Sequence, residues 1–294
     1  MRKFRSVEET RNINLVFPKF RFVPSILHKA YFFLITLLAD VEFVGLENLP
    51  LERNVCLFPN HMSNADNIVL WEAWRRSGRR IKDLWAVAGI VASTLKERIA
   101  YRTSYSFVYV ERRRDVDKEI QTAINKKSLR IIGRMMKEEE SFFIYLEGSR
   151  SRTGSLRLPP DEKDKKSIGP ALITGTDIIP VAIQGTDKIL KPEYNDQVIY
   201  VIKNAVIAGI RNLFSWLPFV KPFERTKVRV EFKKPIKGLE KQRGESSDSY
   251  IDRVYNIIVC EIALLFPEEL WGDYKKMAEK YRRQTQEQRS ASYV

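Results

Sequence analysis

A chain of 294 residues, 44% hydrophobic and 30% charged, has enough apolar material for one large domain with appendages or two small domains, and its composition excludes a disordered chain. Lys and Arg outnumber Asp and Glu by 51 to 37, a net charge of +14 that favours anionic partners: nucleic acid, phosphorylated small molecules or acidic lipid surfaces. Cys56 and Cys260 lie far apart in apolar runs, and with only His28 and His61 beside them no metal-ligand spacing exists; the cysteines read as buried thiols of a reducing compartment.

The basic start at residues 1–5 is not followed by the apolar core of a secretory signal, and no run of about 20 apolar residues predicts a transmembrane helix. Residues 1–24 mix basic and aromatic side chains with Pro18 and Pro24 and read as an irregular arm. From Ser25 to Ala39 the spacing predicts a helix, apolar almost all round yet about five residues short of a bilayer span. Such a helix is either packed against the main domain or half sunk in a membrane interface, towards which its aromatics and its basic start lean. Residues 41–44 alternate and close on Gly45 as a strand.

Residues 55–58 read as a buried strand that stops at Pro59 and Asn60. His61 follows at once, and Asp66 precedes an apolar helix over 68–74. In a continuous helix, residues five apart point roughly 140° away from each other. His61 and Asp66 therefore meet only if the chain bends between them, and Ser63 and Asn64 are good N-cap residues for such a bend. A carboxylate held on one imidazole nitrogen fixes the tautomer and leaves the other nitrogen as a base. The same residues also read as a polar loop beside a helix-capping Asp.

Arg75, Arg76, Arg79 and Arg80 end that helix and read as a solvated cluster that suits the helix dipole. Strands are predicted over 84–88 and 106–110, with a helix near 92–100 between them and Arg112, Arg113 and Arg114 just beyond. A long polar helix over 115–140 carries Ile120, Ile124, Ile131 and Met135 inward. An apolar strand over 142–146 runs into Glu147, Gly148, Ser149 and Arg150, and a basic loop and short helix lead to a strand over 178–183. Strands alternating with helices at this spacing predict an α/β fold with a largely parallel central sheet flanked by helices. Residues at the carboxyl ends of such strands line the site crevice. His61, Arg112 and Glu147 each follow a strand, so they converge on one candidate site.

Residues 206–221 are apolar, bear Phe214 and Trp216, and are punctuated by single cations, which resembles an interfacial membrane element. A last strand over 228–232 has one wet face; 238–248 is a charged linker; a helix over about 249–266 and a charged amphipathic tail follow. The chain thus divides into an arm and helix (1–40), an α/β domain (41–237, with an apolar membrane-facing insert at about 198–223) and a linker with C-terminal helices (238–294).

The loop from Glu147 to Gly154 joins small residues to Arg150 and Arg152 immediately after a buried strand. Backbone N–H groups, hydroxyls and guanidinium forks are what a phosphate needs, although the spacing is not that of a P-loop and the arginines also read as a solvated turn. At this point the sequence resembles the glycerolipid acyltransferases that act on glycerol 3-phosphate and lysophosphatidic acid. Their first motif, N-H-x-S-x-x-D, is matched by Asn60, His61, Ser63 and Asp66. The second, G-x-x-F-I-x-R, is matched over 106–112 with Ser106 in place of the glycine and Arg112 at its end. Glu147, Gly148 and Arg150 match the third, F-P-E-G-T-R, with Leu146 for its proline and Ser149 for its threonine; residues 179–182 meet the fourth, V-P-V. The four blocks stand in the family's order over residues 41 to about 235.

The resemblance implies an O-acyltransferase of glycerophospholipid synthesis, with His61 as general base on the acceptor hydroxyl and Asp66 orienting it. The hydroxyl attacks the thioester of acyl-CoA or an acyl carrier protein, so no nucleophilic Ser or Cys, no cofactor beyond that co-substrate and no metal is expected. Arg112 and Arg150 would hold the acceptor phosphate, Glu147 would position glycerol hydroxyls, and Gly148 and Ser149 complete the binding loop. Lysophosphatidic acid is the first acceptor and glycerol 3-phosphate the second. The expected partners are the thioester donor, the phosphorylated glycerol acceptor and a membrane surface at the cytoplasmic face, with no nucleic acid. A basic nucleic-acid-binding domain would account for the charge but not for the apolar 206–220 segment. A non-catalytic membrane scaffold is opposed by the intact His61, Asp66 and Glu147.

Overall fold

Val55-Cys56-Leu57-Phe58-Pro59 has no polar side chain for either face, and such a strand is stable only with layers packed on both sides. In the computed structural model it is the centre of the molecule. The structure describes residues 15–17, 25–79, 84–88, 106–111, 117–148, 150–151, 153–159, 162–189, 198–215 and 223–291. Their strands are β1 (Val16–Phe17), β2 (Ala39–Val44), β3 (Val55–Pro59), β4 (Leu84–Ala88), β5 (Ser106–Tyr109), β6 (Ser141–Phe143), β7 (Asp177–Gln184) and β8 (Thr226–Phe232). They form one sheet in the order β1-β5-β4-β6-β3-β7-β8-β2. From β5 through β4, β6 and β3 to β7 every pairing is parallel. β8 joins β7 antiparallel and carries β2 parallel to itself, while β1 joins β5 antiparallel.

The helices are α1 (Ser25–Leu38), α2 (Ala65–Arg76), α3 (Lys118–Lys137), α4 (Gly169–Thr174), α5 (Thr186–Ile189), α6 (Val198–Leu213), α7 (Ser247–Ala263) and α8 (Lys275–Ala291). Side chains alternate across the sheet with period two. Val55, Leu57, Ile179, Val181 and Ile183 face a core shared with Ile35 and Leu38 of α1, Val69, Leu70 and Trp74 of α2, and Ala205 and Ala208 of α6. Cys56, Phe58, Ile178 and Ala182 face the opposite core, built with Ile132 and Met136 of α3, Ile258 and Val259 of α7, Trp271, Tyr274 and Ala278. Both cysteines are free and buried, as expected. The α/β architecture with a largely parallel sheet is the one the sequence predicts.

Several elements differ in detail from the prediction. β1 sits in the arm read as irregular and is held by the Tyr109 amide on the Leu15 carbonyl at 2.8 Å. α1 is half core and half surface: Ile35 and Leu38 are buried, whereas Phe33 is 61% exposed. The inward stripe of α3 runs through Ile120, Ile124, Ser128, Ile132 and Met136 at strict i+4 spacing. It passes through a serine because the Ser128 hydroxyl is satisfied by the Tyr109 carbonyl at 2.6 Å. β6 ends at Phe143, earlier than expected, although the Ile144 amide still bonds to the Leu57 carbonyl at 2.9 Å. The helix expected near 92–100, and Trp216, lie outside the described residues.

The arginines at the end of α2 are not simply solvated. Glu72, on the buried side of that helix, takes Arg75 at 2.7 and 2.9 Å and Arg76 at 2.8 Å, with His28 Nε2 of α1 3.5 Å away. The His28 ring lies 4.0 Å from the Trp71 ring, so this cluster ties α1 to α2. Burial pushes the Glu72 carboxyl up, but hydrogen bonds from Arg75 and Arg76, with their charges, outweigh it and bring the group from 4.5 down to about 2. Depressed in the folded state, the carboxylate contributes stability that is present above 4.5 and is lost as pH falls through about 2. Glu72→Gln should therefore lower the urea midpoint at neutral pH, and the gap to wild type should close on acidification through that window. A gap that stays constant down the acid limb would show that the charge on Glu72 contributes nothing.

Candidate active site

Pro59 has no N–H and cannot extend the ladder, so β3 ends there. The next residue takes over with its side chain. Asn60 is fully buried; its Nδ2 donates to the Ile183 carbonyl at 2.9 Å and its Oδ1 accepts the Ile183 amide at 2.7 Å. The carboxamide thus imitates one more strand peptide and fixes where the following residue leaves the sheet.

That residue is His61. Its Nδ1 lies 2.8 Å from Asp66 Oδ2, and its ring stacks on Tyr145 at 3.8 Å between centroids and 12° between planes. The Tyr145 hydroxyl donates to Asn67 Oδ1 at 2.8 Å, which holds the stacking ring in place. Asp66 is 0% exposed in the first turn of α2. The same Oδ2 accepts the amides of Met62 at 2.7 Å and Ser63 at 2.9 Å, and the other oxygen accepts the hydroxyl of Thr186. The bend between His61 and Asp66 is therefore made chiefly by the carboxylate reaching back over its own loop. Of the two expected cap residues, Asn64 has helical dihedrals and no side-chain capping bond, while Ser63 Oγ accepts the Ala65 amide at 3.1 Å.

Asp66 Oδ2 presents only an acceptor to the ring, so Nδ1 carries the proton and the basic lone pair is on Nε2. This is the geometry of an oriented general base. Thr186 and Tyr145 are neighbours of the pair that sequence reasoning missed. The available signal was their position, since each stands just beyond a strand that pairs directly with β3, Thr186 after β7 and Tyr145 after β6.

Glu147 lies beneath this arrangement. It is 1% exposed, and among the described residues the Arg157 and His61 amides approach its carboxyl without reaching full hydrogen-bond geometry. Burial pushes its carboxyl well up, the Arg157 amide opposes this, the Asp66 charge adds to it, and the His61 amide and Arg157 charge pull down again. In this arrangement Glu147 faces the backbone of His61 and Arg157 from inside the fold. Gly148 is exposed at φ 60°, a left-handed conformation that suits glycine and turns the chain outwards. Arg150 is half-buried, and the next residue ties its loop to the base: the Ser151 amide donates to the His61 carbonyl at 2.7 Å. The structure thus brings together His61, Asp66, Glu147 and the loop of Gly148 and Arg150. Arg112 and Ser149 lie outside the described residues.

The far side of this loop is clamped by the C-terminal segment. The Leu156 amide bonds to the Leu270 carbonyl at 3.0 Å, the Asp273 amide to the Leu156 carbonyl at 3.2 Å, and the Leu158 amide to Asp273 Oδ2 at 3.1 Å. Buried Tyr274 donates its hydroxyl to the Arg157 carbonyl, and burial pushes that phenol's pKa up. Among the described residues no group of His, Cys, Asp and Glu is arranged to hold a metal ion.

Residues 40–184 match the family model described as Acyltransferase. One similar solved structure is the crystal structure of the 1-acyl-sn-glycerophosphate (LPA) acyltransferase PlsC from Thermotoga maritima, at 20% identity and a TM-score of 0.46, covering 82% of this chain and 79% of that one. No match to a curated protein is found.

The Asn60 latch has a measurable consequence. Asn60→Ala strips the Ile183 amide and carbonyl of their partner inside the core, and a buried polar group left unpaired costs about 1–3 kcal/mol. Urea unfolding should show a loss of that order. An unchanged midpoint would show that the carboxamide contributes nothing to the junction of β3 and β7.

Proposed function

This chain belongs to the acyltransferase family, and on that premise we propose that it moves a fatty acyl chain from an acyl thioester to the free hydroxyl of lysophosphatidic acid. The observation that carries the reading is the His61–Asp66 pair: an imidazole with its proton fixed on the aspartate side, half-buried at the carboxyl end of the central strand. In the proposed reaction Nε2 takes the proton of the acceptor hydroxyl as its oxygen bonds to the thioester carbonyl carbon. The tetrahedral adduct collapses, the carbon–sulfur bond breaks, and the departing thiolate takes the proton back from His61. Asp66 stabilises the imidazolium between the two steps. The base returns to its starting form, so the cycle needs no acyl-enzyme and no cofactor besides acyl-CoA or acyl carrier protein.

Arg150, in a loop pinned to the His61 backbone, supports phosphate recognition by a planar guanidinium fork, with Arg112 as its proposed companion from the second motif. Gly148 and Ser149 give that loop small residues through which a phosphate reaches backbone amides. Glu147 is proposed to hold the loop in shape from beneath and to meet a glycerol hydroxyl only if the loop shifts on binding. Purified protein supplied with labelled acyl-CoA and acyl carrier protein, against lysophosphatidic acid and glycerol 3-phosphate, tests the acceptor. Lysophosphatidic acid should be acylated in preference, and His61→Ala should lower the rate by about 10²–10⁴. Preference for glycerol 3-phosphate would move the assignment to the other acceptor, and full turnover by folded His61→Ala would overturn the mechanism.

A lipid acceptor implies that the enzyme works at a membrane, and one face supports this. α6 turns Ala205 and Ala208 inwards and leaves Ile202, Val206, Ile207, Ile210, Leu213 and the following Phe214 exposed. Phe33, on the neighbouring α1, is exposed as well. Among the described residues no helix is long and apolar enough to cross a membrane, so the proposed association is interfacial. The triple variant Ile210→Ala, Leu213→Ala, Phe214→Ala should sediment less with anionic liposomes than wild type and melt at the same temperature. Wild-type binding should weaken with salt but persist, since each surface cation adds only about 1 kcal/mol and the apolar part is not screened. Equal sedimentation of both proteins would return this face to ordinary surface.

A further inference from the structure

Resting on the general-base reading of His61, we infer that Thr186 is a positioning residue of the site, holding the plane of the Asp66 carboxylate through its second oxygen. Thr186 is 0% exposed and stands 120 residues from Asp66 in sequence, yet its hydroxyl donates to Asp66 Oδ1. The backbone sets its place. β7 runs parallel to β3 and ends at Gln184; Gly185 then turns at φ 84°, so close to β8 that a Cβ there would lie 2.1 Å from the Lys227 carbonyl oxygen. Only glycine passes that point, and the next residue is delivered to the buried side of α2 where Asp66 waits.

Asp66 Oδ2 already serves three N–H donors, from His61, Met62 and Ser63. Without a partner for Oδ1 the carboxylate would be held at one oxygen and could turn about its own axis, taking the imidazole with it. A hydroxyl has a single proton, and here it is committed to Oδ1. That bond fixes the carboxylate plane and draws negative charge away from the oxygen that faces His61. Among the described residues, the titratable groups recorded around the pair are Asp66 from α2, Tyr145 beyond β6, Glu147, and Asp187 next to Thr186, whose carboxyl feels the Asp66 charge. Thr186 touches none of the reacting atoms and acts through Asp66 alone.

Thr186→Val keeps the shape and removes the donor, while Thr186→Ser keeps the donor and loses a methyl. With lysophosphatidic acid and acyl-CoA, the valine variant should lose about tenfold in kcat, the scale of one hydrogen bond to a charged group, with both KM values within about twofold. The acidic limb of its kcat/KM profile should move to higher pH, because a carboxylate relieved of one donor holds the imidazolium more tightly. Serine should restore both. A second readout does not depend on turnover: the chain has two histidines, and the NMR titration of His61 should move up in Thr186→Val and return in Thr186→Ser. An unmoved titration, or equal losses in both variants, overturns the positioning role. A wild type inactive on every acceptor, with the titration moved as expected, overturns the acyl-transfer reading and upholds the contact between Thr186 and the pair.

Discussion

A carboxylate with no access to water has to find all its hydrogen bonds within the protein, or it does not stay charged. Asp66 finds four: the His61 ring, the Met62 and Ser63 amides, and the Thr186 hydroxyl. Each donor comes from a separate decision of the chain. The amides exist because the loop after β3 turns tightly, and the hydroxyl exists because β7 ends in a glycine turn. The ring is in reach because Asn60 extends the strand by one false peptide before letting it go. The aspartate therefore joins β3, α2 and the end of β7 into one corner, and the His61 ring is the part of that corner that is not fully buried.

Around that corner the fold supplies two cores of different provenance. The core that receives α1, α2 and α6 is packed by helices that come before and after β3 in the chain, and α1 and α6 carry exposed apolar side chains. The opposite core depends on α7, Trp271, Tyr274 and α8, all beyond the residue 184 at which the family match ends. The loop bearing Arg150 is caught between the two. It is tied to His61 by Ser151 on one side and to the C-terminal segment by Leu156, Arg157 and Leu158 on the other. Acceptor recognition, as proposed, thus depends on a part of the chain that carries none of the motif residues.

Much of this was legible before any coordinates. Residues 55–58 and 178–183 are apolar on both faces, and such strands belong in the middle of a parallel sheet. The five-residue step from His61 to Asp66 is geometrically useless in a helix and useful across a bend. What was not legible has a common cause: it depends on partners distant in sequence or on polar atoms satisfied by the fold. Ser128 looks like an interruption of an apolar stripe until the Tyr109 carbonyl is seen opposite it. Arg75 and Arg76 look solvated until Glu72 is found buried a turn earlier. Thr186 is one hydroxyl among many, and only the strand order places it under Asp66. β1, two residues long, has no periodicity to read.

The strand order also dictates when the site can exist. β3 lies between β6 and β7, whose partner residues are about 86 and about 122 positions further along, and contacts of such long separation are slow to close. As the chain leaves the ribosome, His61 and Asp66 emerge early and wait while residue 186 is still being made, with β3 bare along both edges and Asp66 short of its fourth donor. The corner is complete only once residue 186 is in place, and until then the nascent chain carries β3, apolar on both faces, without its sheet neighbours.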